Sequence, residues 1–181
     1  DYIAIARSFR KGASDARGPS AAEVKTATDE LRSEMQTKEF ADFINIADAP
    51  PPEVLAAANA QIVNKAKGHE PDVLLNLGSA YVCKIYISGD YSVNDPYYVH
   101  EITHGDVVVV VNQQHPHWNE LDGSEGVLNF LRHCVYDAIA EWRASIISSA
   151  IRPETVKMFK DYLLRLPSEI ESADLRPENQ D

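Results

Sequence analysis

The most specific chemical pattern in the chain is His100-Glu-Ile-Thr-His104, which matches the HExxH motif of zinc hydrolases. On a helix, two histidines four residues apart bind one zinc ion, and the glutamate, here Glu101, activates a water molecule. The flanking residues favour a strand instead, because Tyr-Tyr-Val precedes the motif and Gly105 with a run of valines follows it closely. In a strand, His100 and His104 would lie about 13 Å apart, too far to share one zinc ion. We therefore favour a strand with half-exposed polar residues, and a zinc-dependent hydrolase is the alternative.

A second group of polar and aromatic side chains follows the valine run and comprises Asn112, His115, His117 and Trp118. Binding residues are common at strand ends, and histidine titrates near neutral pH. This turn could therefore form the site of a small-ligand sensing domain. In the other interpretation, Asn112 and His115 satisfy backbone groups of the turn while Trp118 packs on the next helix.

The elements that position these residues are a strand and a long helix. Val107 to Val111 is an unbroken β-branched run without polar alternation, which predicts a strand covered on both faces. Residues 124–148 are predicted to form a helix that packs on this strand, with Ser124 as its N-cap. The apolar stripe of this helix comprises Val127, Leu128, Leu131, Cys134, Val135, Ala138, Ile139, Trp142 and Ile146.

Polar residues also recur along the long helix. His133, Asp137 and Glu141 stand at positions i, i+4 and i+8. A metal site or a proton relay would need a further ligand from elsewhere in the chain. We interpret the three residues as a solvated or interface-facing stripe, because polar residues normally occupy the outer face of a helix.

The remaining patterns predict an α+β fold with N-terminal helices and a small, mostly antiparallel sheet. Its strands are expected near residues 80–88, 97–103 and 106–112, the last two joined by a hairpin. A C-terminal helix is predicted at 153–166. We divide the chain into an N-terminal segment or linker at 1–18, a helical region at 19–68, an α+β core at 69–167 and an acidic tail at 168–181.

The first helix carries only a narrow apolar stripe. Ser20 and Glu23 fit a capping box at its start. Val24, Leu31 and Met35 then recur at heptad-like spacing. A stripe of this width is typical of a helix that packs on one partner helix or on another chain. Self-association is therefore expected.

Composition excludes several classes of function. The net charge of −11 does not support binding to nucleic acid phosphates, which requires clustered lysine and arginine. No apolar run approaches the ~20 residues of a membrane span, and no signal peptide is visible. Cys83 and Cys134 lie in apolar patterns and are expected to be buried free thiols. These features favour a cytoplasmic protein, and the start at Asp1 without a methionine leads us to expect a fragment of a longer chain.

The residues from Val107 to Trp118, with Gly123-Ser-Glu-Gly126 and Asp137 to Trp142, resemble a region of certain bacterial ATP-binding proteins. Those proteins carry a GHKL ATPase domain, the type shared by gyrase B, MutL and histidine kinases. In them, a strand ending in Asn-x-x-His-Pro and an amphipathic helix lie C-terminal to the ATPase domain. The resemblance covers roughly residues 80–166. It implies a coupling or dimerisation module whose partners are a second copy and the ATPase domain of the same parent.

The sequence departs from the GHKL nucleotide site itself. Asp122-Gly123 is the only Asp-Gly pair, and no glycine-rich lid follows it. No residue of an ATP site can therefore be assigned, and we expect no cofactor in this chain and no catalysis by it alone. ATP and Mg²⁺ are expected in the parent protein, and zinc only under the hydrolase alternative.

Overall fold

The computed structural model describes residues 18–147, 152–154, 156–157 and 161. The chain divides into two compact units, Asp1–Lys38 and Glu39–Asp181. The predicted segment at 1–17, the acidic tail at 168–181 and most of the predicted helix at 153–166 lie outside the described residues. Within that last range, residues 153–154, 156–157 and 161 are helical.

The described part of the first unit consists mainly of helix α1, Ala21–Met35. Its predicted capping box is confirmed: Glu23 N donates to Ser20 Oγ at 3.2 Å, and Ser20 N donates to Glu23 Oε2 at 2.7 Å. These bonds satisfy two backbone donors that the first turn leaves free. The helix α1, which is described in full, has no buried residue, and the apolar side chains of Val24, Leu31 and Met35 are exposed.

The second unit is an α+β layer structure, as predicted. Its helices are α2 (Lys38–Ile44, whose first residue belongs to the first unit), α3 (Pro52–Gly68) and α4 (Gly123–Ile147), and a short 3₁₀ helix spans Pro116–Glu120. Its strands are β1 (Val73–Leu77), β2 (Tyr81–Ser88), β3 (Tyr97–Thr103) and β4 (Asp106–Asn112). In the described part of the chain, no helix is both long and apolar enough to cross a membrane.

The sheet has the strand order β1-β2-β4-β3. Strands β1 and β2 are antiparallel, and β3 and β4 form the predicted antiparallel hairpin. Strand β4 inserts between β2 and β3 and runs parallel to β2, with Ile85 opposite Val109. The sheet is thus mostly antiparallel, but this parallel pairing was not predicted, because local sequence patterns carry no information about which distant strands pair.

The core lies on both faces of β4, which confirms the prediction from the valine run. Val107 to Val111 are each 0% exposed. On one face, Val109 and Val111 pack with Phe130, Cys134 and Ala138 of α4. On the other face, Val108 and Val110 pack with Ile62 of α3 and with Tyr86 and Tyr98. Both cysteines are buried free thiols, as expected.

The long helix begins one residue before the predicted start. The carbonyl of Asp122 already accepts a hydrogen bond from Gly126 N at 3.2 Å, so the helix includes Gly123. Ser124 therefore lies inside the first turn and is not the residue that precedes it, and its predicted N-cap position is wrong. The helix continues to Ile147, beyond which residues 148–151 lie outside the described part of the chain.

Candidate functional site

A cavity of about 320 Å³ lies at the outer edge of β3. Helix α3 contributes Asn59 to its wall, β3 contributes His100 and Glu101, and α4 contributes Glu141 and Trp142. The helical residues near 153–157 complete the wall with Glu154 and Lys157. The cavity therefore collects ionisable side chains from three separate parts of the chain.

The HExxH residues lie in the hairpin formed by β3 and β4, as the strand interpretation predicted, and not on a helix. His100 and Glu101 both line the cavity. The side chain of His104 is 89% exposed, and its ring lies at 65° to the ring of Tyr81 with a centroid distance of 5.9 Å. Among the described residues, no group of three or more histidine, cysteine or acidic side chains is arranged to hold a metal ion.

Glu101 connects the hairpin turn to helix α4. Its Oε1 accepts a hydrogen bond from Gly105 N at 3.0 Å, and its Oε2 accepts one from Trp142 Nε1 at 2.8 Å. The bond from Gly105 and the bond from Trp142 lower the pKa of the Glu101 carboxyl, because both favour the charged form. Burial lowers the pKa of the neighbouring His100 imidazole, so this side chain favours the neutral form.

Two charged side chains of the cavity are almost fully buried. Lys157 is 7% exposed, and its Nζ lies 4.9 Å from the centroid of the Tyr98 ring. Glu141 is 9% exposed and accepts a hydrogen bond from the Tyr97 hydroxyl. Burial, then the charge of Glu141, raises the pKa of the Tyr97 phenol, which therefore stays protonated as the donor.

Sequence reasoning placed one of these residues wrongly and missed the other. We interpreted Glu141 as part of a solvated or interface-facing stripe, but it turns inward because the hydroxyl of Tyr97 compensates its burial. Its neighbour Asp137 is only partly buried and lies 3.5 Å from His133 Nε2. Lys157 carries no local signal, because its burial depends on packing between distant segments.

The turn after β4 is held by hydrogen bonds of Asn112, which is 0% exposed. Its Nδ2 lies within 2.7–2.9 Å of the carbonyl oxygens of Ser92, Asn94 and Asp95. Its Oδ1 accepts a hydrogen bond from Gln114 N at 3.0 Å. The amide thereby ties the end of β4 to the loop that precedes β3.

The imidazole of His115 is also enclosed, at 0% exposed. Its Nδ1 accepts a hydrogen bond from His117 N at 3.2 Å, so the proton resides on Nε2. Nε2 lies 2.8 Å from Oδ1 of Asp161, to which it donates. This contact fastens the turn to the C-terminal helical residues.

His117 and Trp118 face the start of α4. The ring of Trp118 meets Phe130 edge-on at 5.9 Å, and the ring of His117 lies 5.4 Å from the same phenyl group. Burial lowers the pKa of His117. Its Nδ1 is buried and has no hydrogen-bond partner among the described residues. The four residues predicted as a functional turn thus lie together, with Asn112 and His115 engaged in internal hydrogen bonds.

A group of exposed apolar side chains lies at the opposite edge of the sheet. We name it the β1 strip, and it comprises Val73, Leu74, Leu75 and Val82. Helices α3 and α4 make their principal sheet contacts with β3 and β4. The strip therefore stays exposed, with Leu74 the most exposed of its members at 62%. The structure places residues 73–75 in an edge strand that was not among the three strands predicted from the sequence.

Comparisons of the chain with models of protein families, with curated proteins and with solved structures found no match.

Proposed function

We propose that this chain is a non-catalytic coupling and dimerisation module of a GHKL-type ATP-binding protein of the bacterial cytoplasm. The observation that carries the proposal is the β1 strip, three of whose four residues lie on the edge strand β1. Exposed apolar groups on a sheet edge are typical of surfaces that take up another chain. The partner that we assign to this edge is a second copy of the same chain.

The composition of β1 supports pairing with its own copy. Natural edge strands are commonly protected by lysine, proline or a bulge, and Val73-Leu-Leu-Asn-Leu77 contains no charged residue and no proline. Two copies related by a twofold axis would align β1 antiparallel to itself, with Leu75 near the axis. The chain carries a net charge of −11, and an uncharged strand lets two acidic molecules meet without opposing carboxylates.

Helix α1 supports self-association independently. A single helix of 15 residues is only marginally stable in water unless an apolar face is covered. Val24 is 48% exposed and Leu31 is 53% exposed, so the stripe on α1 has room for a helix from another chain. The hydrogen bonds of the capping box stabilise α1 but leave this stripe free for contact.

The coupling part of the proposal rests on the residues that resemble the GHKL-associated region. Strand β4 ends at Asn112 and leads through the His115-Pro116 turn into α4, the order that the resemblance implies. The bond between His115 and Asp161 joins this turn to the C-terminal helical residues. We propose that this connection transmits movement from an ATPase domain to the sheet.

Sedimentation velocity over a range of protein concentrations tests the dimerisation part. We expect a monomer–dimer equilibrium whose dissociation constant rises at least ~10-fold in Leu74→Glu, a loss of about 1.4 kcal/mol. The glutamate would lie opposite Lys84, so the monomer should tolerate it. Leu128→Glu, which changes an exposed leucine on α4, is the matched control and should dimerise as the wild type does.

A strict monomer at every concentration, or equal dimerisation by Leu74→Glu and the wild type, would contradict the proposal. The coupling part is tested separately by titrating the chain with the isolated ATPase domain of its parent protein. Binding that is absent both with and without ATP would remove that part and leave the dimer result standing.

A further inference from the structure

We infer that the cavity at the edge of β3 binds a small zwitterion, an α-amino acid with an apolar side chain. This site is independent of the proposed dimerisation, because the β1 strip lies at the other edge of the sheet. The inference follows from a buried ammonium that forms no salt bridge with the described residues, from the surrounding carboxylates and from the apolar part of the wall.

The ammonium of Lys157 calls for an anionic partner. The residue is 7% exposed and lines the cavity, and among the described residues its only recorded partner is the ring of Tyr98. A buried charge without a direct, hydrogen-bonded ion pair is costly, and a hydrogen-bonded carboxylate offsets that cost. The α-carboxylate of the ligand would supply this partner at Nζ.

The carboxylates of the wall argue against a ligand that is only an anion. Glu101, Glu141 and Glu154 all line the cavity, so three carboxylates face one ammonium. Both oxygens of Glu101 already accept hydrogen bonds, and Oε1 of Glu154 lies 2.9 Å from Arg152 Nε. The negative field that remains repels a lone carboxylate and attracts the α-ammonium of an amino acid. A zwitterion pairs its carboxylate with the ammonium and its ammonium with the carboxylates of the wall, and it adds no net charge to the cavity.

The size and the apolar part of the wall limit the rest of the ligand. The volume of about 320 Å³ is at the lower end of the range of small-molecule sites, which start near ~300 Å³. Leu55, Val99 and Ile146 supply apolar surface from three different elements. The neutral His100 imidazole and the Asn59 amide add hydrogen-bonding groups. An aliphatic amino acid is the ligand class that fits this combination.

Isothermal titration calorimetry of the full chain with L-leucine tests the inference. We expect saturable binding with one ligand per chain. Two half-ligands separate the charges: 4-methylpentanoate carries the carboxylate alone and isoamylamine the ammonium alone, and each should bind at least ~10-fold more weakly than leucine. Leucine binding should also raise the melting temperature of the chain.

Variants locate the site. Lys157→Met keeps the length and apolar body of the side chain and removes its charge, so leucine affinity should fall at least ~10-fold. Lys67→Met, on the exposed surface of α3, is the matched control and should bind leucine as the wild type does. Asn59→Leu, which keeps the shape of the side chain but removes its hydrogen-bonding amide from the wall, should also weaken binding if Lys157→Met does not fold.

Several results would overturn the inference. They are absence of leucine binding at millimolar concentration, unchanged affinity in folded Lys157→Met, and unchanged affinity in Asn59→Leu. Equal affinity for 4-methylpentanoate and leucine would show that the cavity accepts an anion and not a zwitterion. None of these results depends on whether the chain dimerises, so they leave the proposed function untouched.

Discussion

Replacing Asn112 with alanine is expected to destabilise the second unit strongly without altering its fold. The side-chain amide is fully buried at the end of β4 and joins three backbone carbonyls to the turn after the strand. An amide group has only two N–H protons, so these three contacts amount to two donated hydrogen bonds, one of them shared. The bond accepted from Gln114 N makes a third.

The magnitude follows from these three bonds. A buried hydrogen bond contributes about 1 kcal/mol net to the free energy of unfolding. In Asn112→Ala the backbone carbonyls and the Gln114 amide lose their partner inside the protein, so the free energy of unfolding should fall by about 3 kcal/mol. In urea, this loss lowers the unfolding midpoint by about 1.5 M if the m value is about 2 kcal/mol/M. Asn112→Asp should destabilise the protein more than Asn112→Ala at neutral pH, because a carboxylate oxygen would face three carbonyl oxygens.

Equilibrium unfolding in urea, followed by far-ultraviolet circular dichroism, measures both variants. Asn119→Ala is the control, because Asn119 is exposed in the neighbouring 3₁₀ helix, and its stability should stay within about 0.5 kcal/mol of the wild type. The structural role that we assign to this amide would be refuted if Asn112→Ala lowered the free energy of unfolding by less than about 1 kcal/mol. It would also be refuted if Asn112→Asp were less destabilising than Asn112→Ala.

Three further predictions concern titration, thiol reactivity and a tight turn. Burial lowers the pKa of His117 below its ordinary value of 6.5, so the unfolded chain takes up the proton more readily. Stability should therefore fall as the pH drops below 6.5, and an equally steep fall in His117→Gln would contradict this. Cys83, whose pKa burial raises to about 11, and Cys134 should react with Ellman's reagent only as fast as the protein unfolds, and rapid labelling of the native state would count against their burial. A β-carbon at Gly105, where φ is +85°, would lie 2.7 Å from a backbone oxygen, whereas Gly78, with φ of +69°, faces open space. Urea unfolding should show that Gly105→Ala loses about 1–3 kcal/mol more stability than Gly78→Ala, and equal losses would show that the close approach is absent.

The strands and the long helix were predictable because their patterns are strong and local. Five consecutive valines favour a buried strand, and the wide apolar stripe around Cys134 and Ala138 favours a packed helix. The extended conformation of His100 was predictable for the same reason, since its neighbours in the chain are typical of strands. In contrast, the short segment Val73-Leu74-Leu75 is too brief for its pattern to separate a strand from a turn.

The candidate cavity was predictable only in part, because four segments that are distant in the sequence build it. The HExxH motif identified His100 and Glu101 as candidate site residues. In the structure they line the cavity with residues of α4 and of the C-terminal helical segment, and not with His104 around a zinc ion. Glu141 was placed wrongly because helix periodicity does not reveal that a tyrosine hydroxyl from β3 will compensate a buried carboxylate. Lys157 was missed because nothing near it in the sequence distinguishes it from a solvated lysine.

Hydrogen–deuterium exchange at two protein concentrations tests the central claim most directly. If β1 pairs with a second copy, the backbone amides of residues 73–77 should exchange more slowly at high concentration, while those in the middle of α4 should be unaffected. The same measurement on Leu74→Glu should lose the dependence on concentration. Exchange at residues 73–77 that is independent of concentration in the wild type would contradict the account, since the strand would then remain an open edge.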